Sequence, residues 1–375
     1  MMKVVIICES LGGGVRRHIV DLLLNLNRSK YDLHVIYSED RIDEVFINLL
    51  QDLKNLNITF YNVSMCREIS IIKDSVSLFK ISRIVKRINP DIIHCHSSKA
   101  GALGRVVAFL YDKTAIYTPH AYYSQNVDMS KLKRFIYIYI ERFLSKITNI
   151  TINVSNGENK FAVDNKIVKK ENTSIIFNGV EELEGNNIDT DSEFIVGTLA
   201  RLDNQKDPYT FLEIAKKVTD KISDIQFVYV GDGPLLEEVR RITIEENLSR
   251  RIKFPGFSSN TVSNLQEFDL YLSTSLYEGL PYSVIEAMAL SKPLVLSDVI
   301  GNNELIVSEY NGELFRRGDI DAAVNLIIKL YNNRDLLRSY GEGSYNCYKK
   351  QFSICEMIEK VEYVYDNSSR KVNVK

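Results

Sequence analysis

The stretch EGLPYSVIE sets two carboxylates, Glu278 and Glu286, on either side of seven residues. A carboxylate accepts hydrogen bonds from two hydroxyls, so such a pair suits a ligand with a polyol at each end, as a nucleotide sugar has. Between the acids, Gly279 lets a turn bend and Pro281 suits the first position of a helix running through SVIEAMAL. Glu278 then precedes the helix and Glu286 lies more than one turn inside it. The N–H groups of Gly279, Leu280 and Tyr282 at the helix start favour an anionic or hydroxyl-rich ligand. Upstream, GTLARLDNQKD offers Arg201 and Lys206, a planar fork and a point charge of the kind a diphosphate needs, although two surface cations would read the same way.

The first half holds weaker signals. ESLGGGVRRH places Gly12, Gly13 and Gly14 at a turn into a helix, where backbone amides can approach an anion. A dinucleotide fingerprint would need glycine where Arg17 stands, which argues against an oxidoreductase. His94 and His96 share one face of a strand in DIIHCHSSKAGALGR, yet no third metal ligand follows at a characteristic spacing, and Ser97 or Ser98 reads as a helix N-cap. His120, in IYTPHAYY, stands at another strand end before aromatic residues that could line a pocket. The DxD triplets Asp189–Asp191 and Asp319–Asp321 are read as solvated acids, so no metal and no cofactor is expected.

These residues must be positioned by strands and helices that alternate along the chain. KVVIIC, DLHVIYS, DIIHCH and AIYTPH are separated by amphipathic runs such as VRRHIVDLLLNLN and KDSVSLFKISRIVKRI. The cycle restarts at FIVGTLA and continues through IQFVYVGDG, RIKFPGF, LYLSTS and PLVLSD. Such βαβα order calls for parallel sheets covered by helices on both faces, with ligands beyond the carboxyl ends of the strands. A length of 375 residues fits two domains, and 45% hydrophobic with 26% charged residues is a globular balance. The net charge of −2 conceals an asymmetry: residues 1–184 carry 25 Lys+Arg against 20 Asp+Glu, and the remainder 22 against 29.

Five scattered cysteines without a CxxC pair read as free thiols of a reducing compartment. The amino-terminal apolar run is too short for a signal peptide, and no run approaches a membrane span, so a cytoplasmic protein is expected. In KLKRFIYIYIERFLSK, residues 131–146, cations flank an aromatic and apolar run. That pattern suits either a helix resting on the anionic inner face of a membrane or a core helix with cationic ends.

Taken in order, ESLGGG, HSSKAGALGR, YTPHAYY, VSNGE, IFNGV, ARL with Lys206, VGDGPL, FPGF and SLYEGLPYSVIEAMALSKPLVLSDVIGNNEL resemble the retaining GT-B glycosyltransferases of the group 4 family, which build bacterial capsule, O-antigen and exopolysaccharide. The resemblance covers nearly the whole chain. It implies an α/β fold of two Rossmann-like, doubly wound parallel-sheet domains facing across a cleft. An acceptor domain would span 1–184, a linker 185–192, a donor domain 193–349, and a returning helix with a basic tail 350–375.

The resemblance further implies a catalytic group of Glu278, His120, Arg201 and Lys206, with Glu286 on the ribose and Gly279, Leu280, Pro281, Gly233 and Gly256 around the donor. Gly13, Gly14, Ser98 and Lys99 would form the acceptor or phosphate loop. Ala200 and Asn302 stand where many members have glycine, and Thr274 where proline is frequent. The implied reaction moves a hexose or N-acetylhexosamine from a UDP-sugar to a lipid-linked saccharide with retention and without metal; no nucleic-acid partner is expected. The alternatives are a nucleotide-sugar epimerase of the same fold and a non-catalytic sugar-nucleotide-binding subunit.

Overall fold

The computed structural model describes residues 1–66, 68–126, 128–184 and 193–370. The chain forms two compact units, one of Met1–Asn178 with the chain from Ile354 onward, the other of Gly179–Ser353. The expected linker at 185–192 lies outside the described residues. The boundaries themselves fall at 178 and 353 rather than 184 and 349, for a local reason. Val180 donates its N–H to Phe352 (3.0 Å) and accepts from the Tyr348 hydroxyl (3.3 Å), which ties the segment after Asn178 to the end of the second unit.

In the first unit the order is β1 (Met2–Cys8), α1 (Gly13–Asn25), β2 (Tyr31–Tyr37), α2 (Glu44–Asn55), β3 (Thr59–Asn62), α3 (Ile71–Ile88), β4 (Ile92–His96), α4 (Ser98–Leu110), β5 (Thr114–Thr118), α5 (Lys131–Ser145), β6 (Ile150–Asn153), α6 (Asn156–Asp164) and β7 (Thr173–Ile175). Seven parallel strands lie in the order β3-β2-β1-β4-β5-β6-β7. In β1, Val4, Ile6 and Cys8 pack with Leu22 and Leu23 of α1 and Phe46 of α2, whereas Val5 and Ile7 pack with Val85 of α3 and Val107 of α4. From Val4 to Cys8 the strand is buried on both faces and apolar at every position, which is why it reads as a continuous run rather than an alternation.

The second unit runs β8 (Phe194–Leu199), α7 (Pro208–Thr219), β9 (Ile225–Val230), α8 (Leu236–Glu245), β10 (Ile252–Gly256), α9 (Thr261–Glu267), β11 (Leu270–Ser273), α10 (Tyr282–Ala289), β12 (Leu294–Ser297), β13 (Gly312–Phe315), α11 (Ile320–Asn332) and α12 (Arg334–Gln351). Its six parallel strands follow β10-β9-β8-β11-β12-β13. The final helix, α13 (Ile354–Arg370), lays Ile354, Met357, Ile358, Val361, Val364 and Tyr365 into the core of the first unit, a stripe at helical spacing. Each unit is thus a doubly wound parallel sheet. In each, strand order reverses once, between β1 and β4 and between β8 and β11, the place where such folds bind ligands. No helix among the described residues is long and apolar enough to cross a membrane.

Candidate functional site

The second unit gathers its expected residues around its switch point. Arg201 and Lys206 follow the carboxyl end of β8, and Glu278 follows that of β11. Two loops meet there because their backbones are laced together. Leu276 N–H donates to the Gln205 carbonyl (2.8 Å), the Gln205 amide donates to the Tyr277 carbonyl (2.9 Å), and the Thr274 hydroxyl lies 3.0 and 2.9 Å from the carbonyls of Lys206 and Asp207. Thr274, which stands where the resemblance makes proline frequent, is therefore a tie between the loops.

That lacing brings the Lys206 ammonium onto the Glu278 carboxylate in an ion pair. Glu278 is only 5% exposed, so the pair is held in a poorly hydrated setting where it is stronger than at the surface. Arg201, by contrast, has a side chain 62% exposed and meets Asp203 at 2.8 Å. An exposed pair of this kind contributes about 0–1 kcal/mol, so its guanidinium is readily exchanged to an incoming anion.

Pro281 takes the N-cap position of α10, one residue earlier than expected, and Glu286 lies buried in the second turn. The Tyr271 hydroxyl, 2.8 Å from Ser283 Oγ and 3.1 Å from the Leu199 carbonyl, joins α10 to both strands of the switch point. Gly301 was not singled out from the sequence. It adopts φ +88°, and a Cβ there would stand 2.5 Å from the Gly279 carbonyl and 2.8 Å from Glu278 Cβ, so only glycine lets this loop back the site. A lone glycine in GNNE gave no distinguishing signal.

Asn302, in place of a frequent glycine, is fully buried and donates to Ser297 O at 3.2 Å. Gly233 follows β9 and Gly256 closes β10, where its carbonyl accepts from Gly231 N–H at 2.9 Å. Asp319 caps α11 by accepting from Ala322 N–H (3.0 Å), and Asp321 meets Lys217 at 2.7 Å, which accounts for that DxD without a metal ion. The other triplet lies outside the described residues.

In the first unit the expected phosphate loop is already furnished with acids. Gly13 N–H faces Asp43 Oδ2 at 3.3 Å, and Arg16 meets the same oxygen at 3.0 Å, while Gly14 lies in the first turn of α1. At the start of α4, where Ser98 and Lys99 were expected to receive a ligand, Glu9 Oε2 accepts from Ala100 N–H at 3.1 Å. Burial pushes the Glu9 carboxyl above its usual range. The Lys99 ammonium is spent on Asp74 at 2.7 Å and on the Glu68 carbonyl at 2.8 Å. Ser97 occupies the N-cap position but makes no side-chain cap bond. A buried acid from the end of β1 thus takes the Ala100 N–H beside Ser98 and Lys99, the residues expected to meet a ligand.

Four of the five histidines converge at the switch point of this sheet. Ring centroids are 4.0 Å apart for His94 and His96, 4.6 Å for His18 and His120, and 5.3 Å for His96 and His120. His94 uses both nitrogens, toward the Tyr365 hydroxyl of α13 (2.7 Å) and Thr118 Oγ1 (2.9 Å), and is a structural residue. Burial lowers the pKa of His18 to about 4 and those of His94, His96 and His120 well below the ordinary 6.5, so all four rings are neutral at pH 7.

His120 and Ala121 both have positive φ, 55° and 78°. For non-glycine residues such strain persists only where the surroundings enforce it. Here Glu158, fully buried at the start of α6, accepts from Ala121 N–H at 2.6 Å and from Val154 N–H at 2.7 Å, while its own N–H donates to Ser155 Oγ at 3.1 Å. The VSNGE segment is therefore the clamp that fixes the His120 turn. His18 and Glu158 were both missed as site residues from the sequence: one is a lone helical histidine, the other an ordinary capping glutamate.

Comparison with known proteins identifies the family. The family described as Glycosyltransferase Family 4 matches residues 12–182, and that described as Glycosyl transferases group 1 matches 180–346. An Escherichia coli UDP-Gal:alpha-D-GlcNAc-diphosphoundecaprenol alpha-1,3-galactosyltransferase is 29% identical over 322 residues, 82% of this chain and 83% of that protein. The O-antigen biosynthesis glycosyltransferase WbnH of Escherichia coli is 32% identical over 253 residues, 68% of this chain and 71% of that protein. Among solved structures, Anabaena Alr3699/HepE in complex with UDP and glucose has a TM-score of 0.82 at 18% identity, covering 98% of this chain and all of the other.

Proposed function

This chain is a glycosyltransferase of family 4, and from that premise we propose that it transfers a hexose or N-acetylhexosamine from a UDP-sugar to a lipid-linked saccharide in surface-polysaccharide synthesis. The observation that carries the reading is the Lys206–Glu278 pair beside Arg201 at the second unit's switch point. It supplies two cations for a diphosphate and an acid for sugar hydroxyls within one constellation. The galactosyltransferase relative is named for a UDP-sugar donor and a diphosphoundecaprenol-linked acceptor, and the Anabaena protein binds UDP and glucose, which favours uridine over guanosine. The epimerase alternative loses ground because the named relatives are transferases.

The second unit is the donor-binding one in this reading, with Glu286 on the ribose and Gly279, Leu280, Pro281, Gly233 and Gly256 shaping the pocket. The first unit receives the acceptor, with Gly13 and Gly14 at its glycine turn. In the reaction the bond from the anomeric carbon to the diphosphate oxygen breaks as the acceptor oxygen bonds to the same face, and the departing phosphate takes the acceptor's proton. Arg201 and Lys206 neutralise the developing charge, a task that needs no metal ion when cations are already in place. His120 is assigned a catalytic role through the geometry of its clamped turn. Ser98 and Lys99 stay with Gly13 and Gly14 in this reading, the Lys99 ammonium exchanging from Asp74 to an incoming anion as that of Lys206 exchanges from Glu278.

The acceptor is proposed to reach the enzyme at a membrane surface. On α5 only Glu141 and Leu144 are buried, so the core-helix reading of this segment does not hold. Leu132, Phe135, Ile136, Tyr139 and Phe143 instead form an exposed apolar stripe, and Ile72 and Phe79 of α3 are exposed as well. An apolar groove of about 390 Å³, lined in part by Leu78, Leu103, Val106, Tyr139 and Phe143, opens on the same face. Lys131, Lys133 and Lys146 stand exposed at its ends, the arrangement that anionic lipid attracts.

The test is a transfer assay with UDP-glucose, UDP-galactose and their N-acetyl forms, with and without a diphosphoundecaprenol-linked sugar. Acceptor-dependent UDP release with a lengthened lipid product is expected. A changed sugar still attached to its nucleotide, formed without acceptor, would establish the epimerase instead.

A further inference from the structure

His18, His96 and His120 arrive from α1, the end of β4 and the turn after β5, and one ring nitrogen of each lies within 4.8 Å of the other two. Three elements of the same unit thus hold the rings from different directions. The central ring, His96, is fully buried, its Nδ1 lies 3.1 Å from His120 Nε2, and its Nε2 has no hydrogen-bond partner. A buried nitrogen left alone is costly, and an unpaired N–H is costlier than an unpaired lone pair that water or an ion can later fill. The favoured tautomer therefore puts the His96 proton on Nδ1, donating to His120, and leaves Nε2 with a bare lone pair. His18 is oriented in the complementary way. Its Nδ1 lies 3.1 Å from Asn178 Oδ1, an acceptor, so Nδ1 carries the proton and Nε2 the lone pair. An imidazole that donates one N–H to a carbonyl oxygen and offers the other nitrogen is the usual form of a ligating histidine.

We propose that His18, His96 and His120 form a binding site for one divalent late-transition ion, zinc being the commonest that fits, with a fourth coordination position left open. Three imidazoles suit zinc, cobalt, nickel and copper, whereas magnesium and calcium want oxygen donors that this cluster lacks. Around a tetrahedral ion with bonds of about 2.0–2.1 Å, donor nitrogens sit roughly 3.4 Å apart, so modest ring rotations close the present spacing. On binding, His120 Nε2 turns the lone pair that accepts the His96 Nδ1 proton toward the ion, while His96 binds through Nε2 and keeps its proton on Nδ1. The sequence offered only His94 and His96 as a candidate pair; the fold retires His94 into a hydrogen-bonded role and substitutes two histidines from distant positions. Because the ion would hold His120, zinc is expected to inhibit transfer. That consequence rests on the transferase reading, whereas the binding does not.

The site is tested on the full-length chain after metal removal, without donor or acceptor present, so that failure here leaves the transferase assignment untouched. Cobalt(II) is titrated and followed by its visible ligand-field absorption, then displaced with zinc. One ion per chain is expected, with an intense four-coordinate spectrum that zinc abolishes and magnesium does not. His18→Ala and His96→Ala should each weaken binding by roughly 100-fold, since each removes one of three protein donors. His34→Ala, which alters a histidine away from the four that converge, should leave binding unchanged. No stoichiometric ion, or an ion indifferent to His18→Ala and His96→Ala, overturns the proposal. Should those variants fail to fold, zinc-soaked crystals of the unaltered protein decide it: an anomalous peak among the three rings supports the site, and peaks only elsewhere refute it.

Discussion

Arg201 and Lys206 carry like charges toward one task, yet their surroundings predict different responses to removal. Arg201 is mostly exposed and its partner Asp203 can turn to water, so Arg201→Ala should leave the melting temperature nearly unchanged while cutting turnover roughly 100-fold or more, the scale of losing one preorganised donor to developing charge. Steady-state kinetics beside a thermal melt separates the two effects. Lys206→Ala strands the buried Glu278 carboxylate without its cation and should cost about 3–5 kcal/mol in urea unfolding as well as activity. Replacing Glu278 at the same time should recover part of that stability but none of the turnover.

The histidines add a pH dependence. Between pH 6.5 and about 4 the unfolded chain takes up a proton at His18 that the folded chain refuses. The unfolded state then binds more protons, so stability is fully present above pH 6.5 and declines as pH falls through that window. His94, His96 and His120 act in the same direction. Melts from pH 7 to pH 4.5 should show the decline, and His18→Gln should lessen its slope by up to about 1.4 kcal/mol per pH unit.

At the scale of elements, α5 and α12 make opposite points about packing. The exposed stripe on α5 predicts that the protein floats with vesicles of anionic lipid at low salt and that Phe135→Glu with Phe143→Glu abolishes flotation without lowering the melting temperature. Flotation unchanged by the double substitution would remove the stripe from the membrane account. On α12, a Cβ at Gly341 would lie 2.3 Å from the Ser291 carbonyl and one at Gly343 would lie 2.1 Å from that of Tyr310. Gly343→Ala should therefore destabilise by roughly 1–3 kcal/mol in urea unfolding, despite alanine's better helix propensity.

The same helix explains what the sequence left hidden. β1 and α3 announce themselves by apolar runs and periodicity, but α12 reads as RSYGEGSYN, a loop by composition, because close approach to backbone demanded glycines inside a helix. Its buried stripe of Leu337, Tyr340, Ser344 and Tyr348 is half polar, and β13 is only four residues long. The acids and cations of the second unit were legible because EGLPYSVIE and ARLDNQK are each contiguous at a strand end. The histidine cluster was not, since residues 18, 96 and 120 meet only through the order β1-β4-β5.

For the molecule as a whole, the two units repeat one architecture with different contents. Each has a parallel sheet whose order reverses once, and each brings its candidate residues to that reversal: neutral imidazoles in the first, an acid with cations in the second. The chain returns through α13 to complete the first unit's core, where Tyr365 reaches His94, so a truncation before Ile354 should unfold that unit and not merely shorten it. The central claim is that the cations of the second unit hold the donor's diphosphate. Calorimetric titration with UDP and with uridine tests it most directly. The account predicts one UDP per chain, little or no binding of uridine, and at least a tenfold loss of UDP affinity in Arg201→Ala, where a charge-assisted phosphate contact disappears. Uridine binding as tightly as UDP, or UDP affinity untouched in that variant, would contradict it.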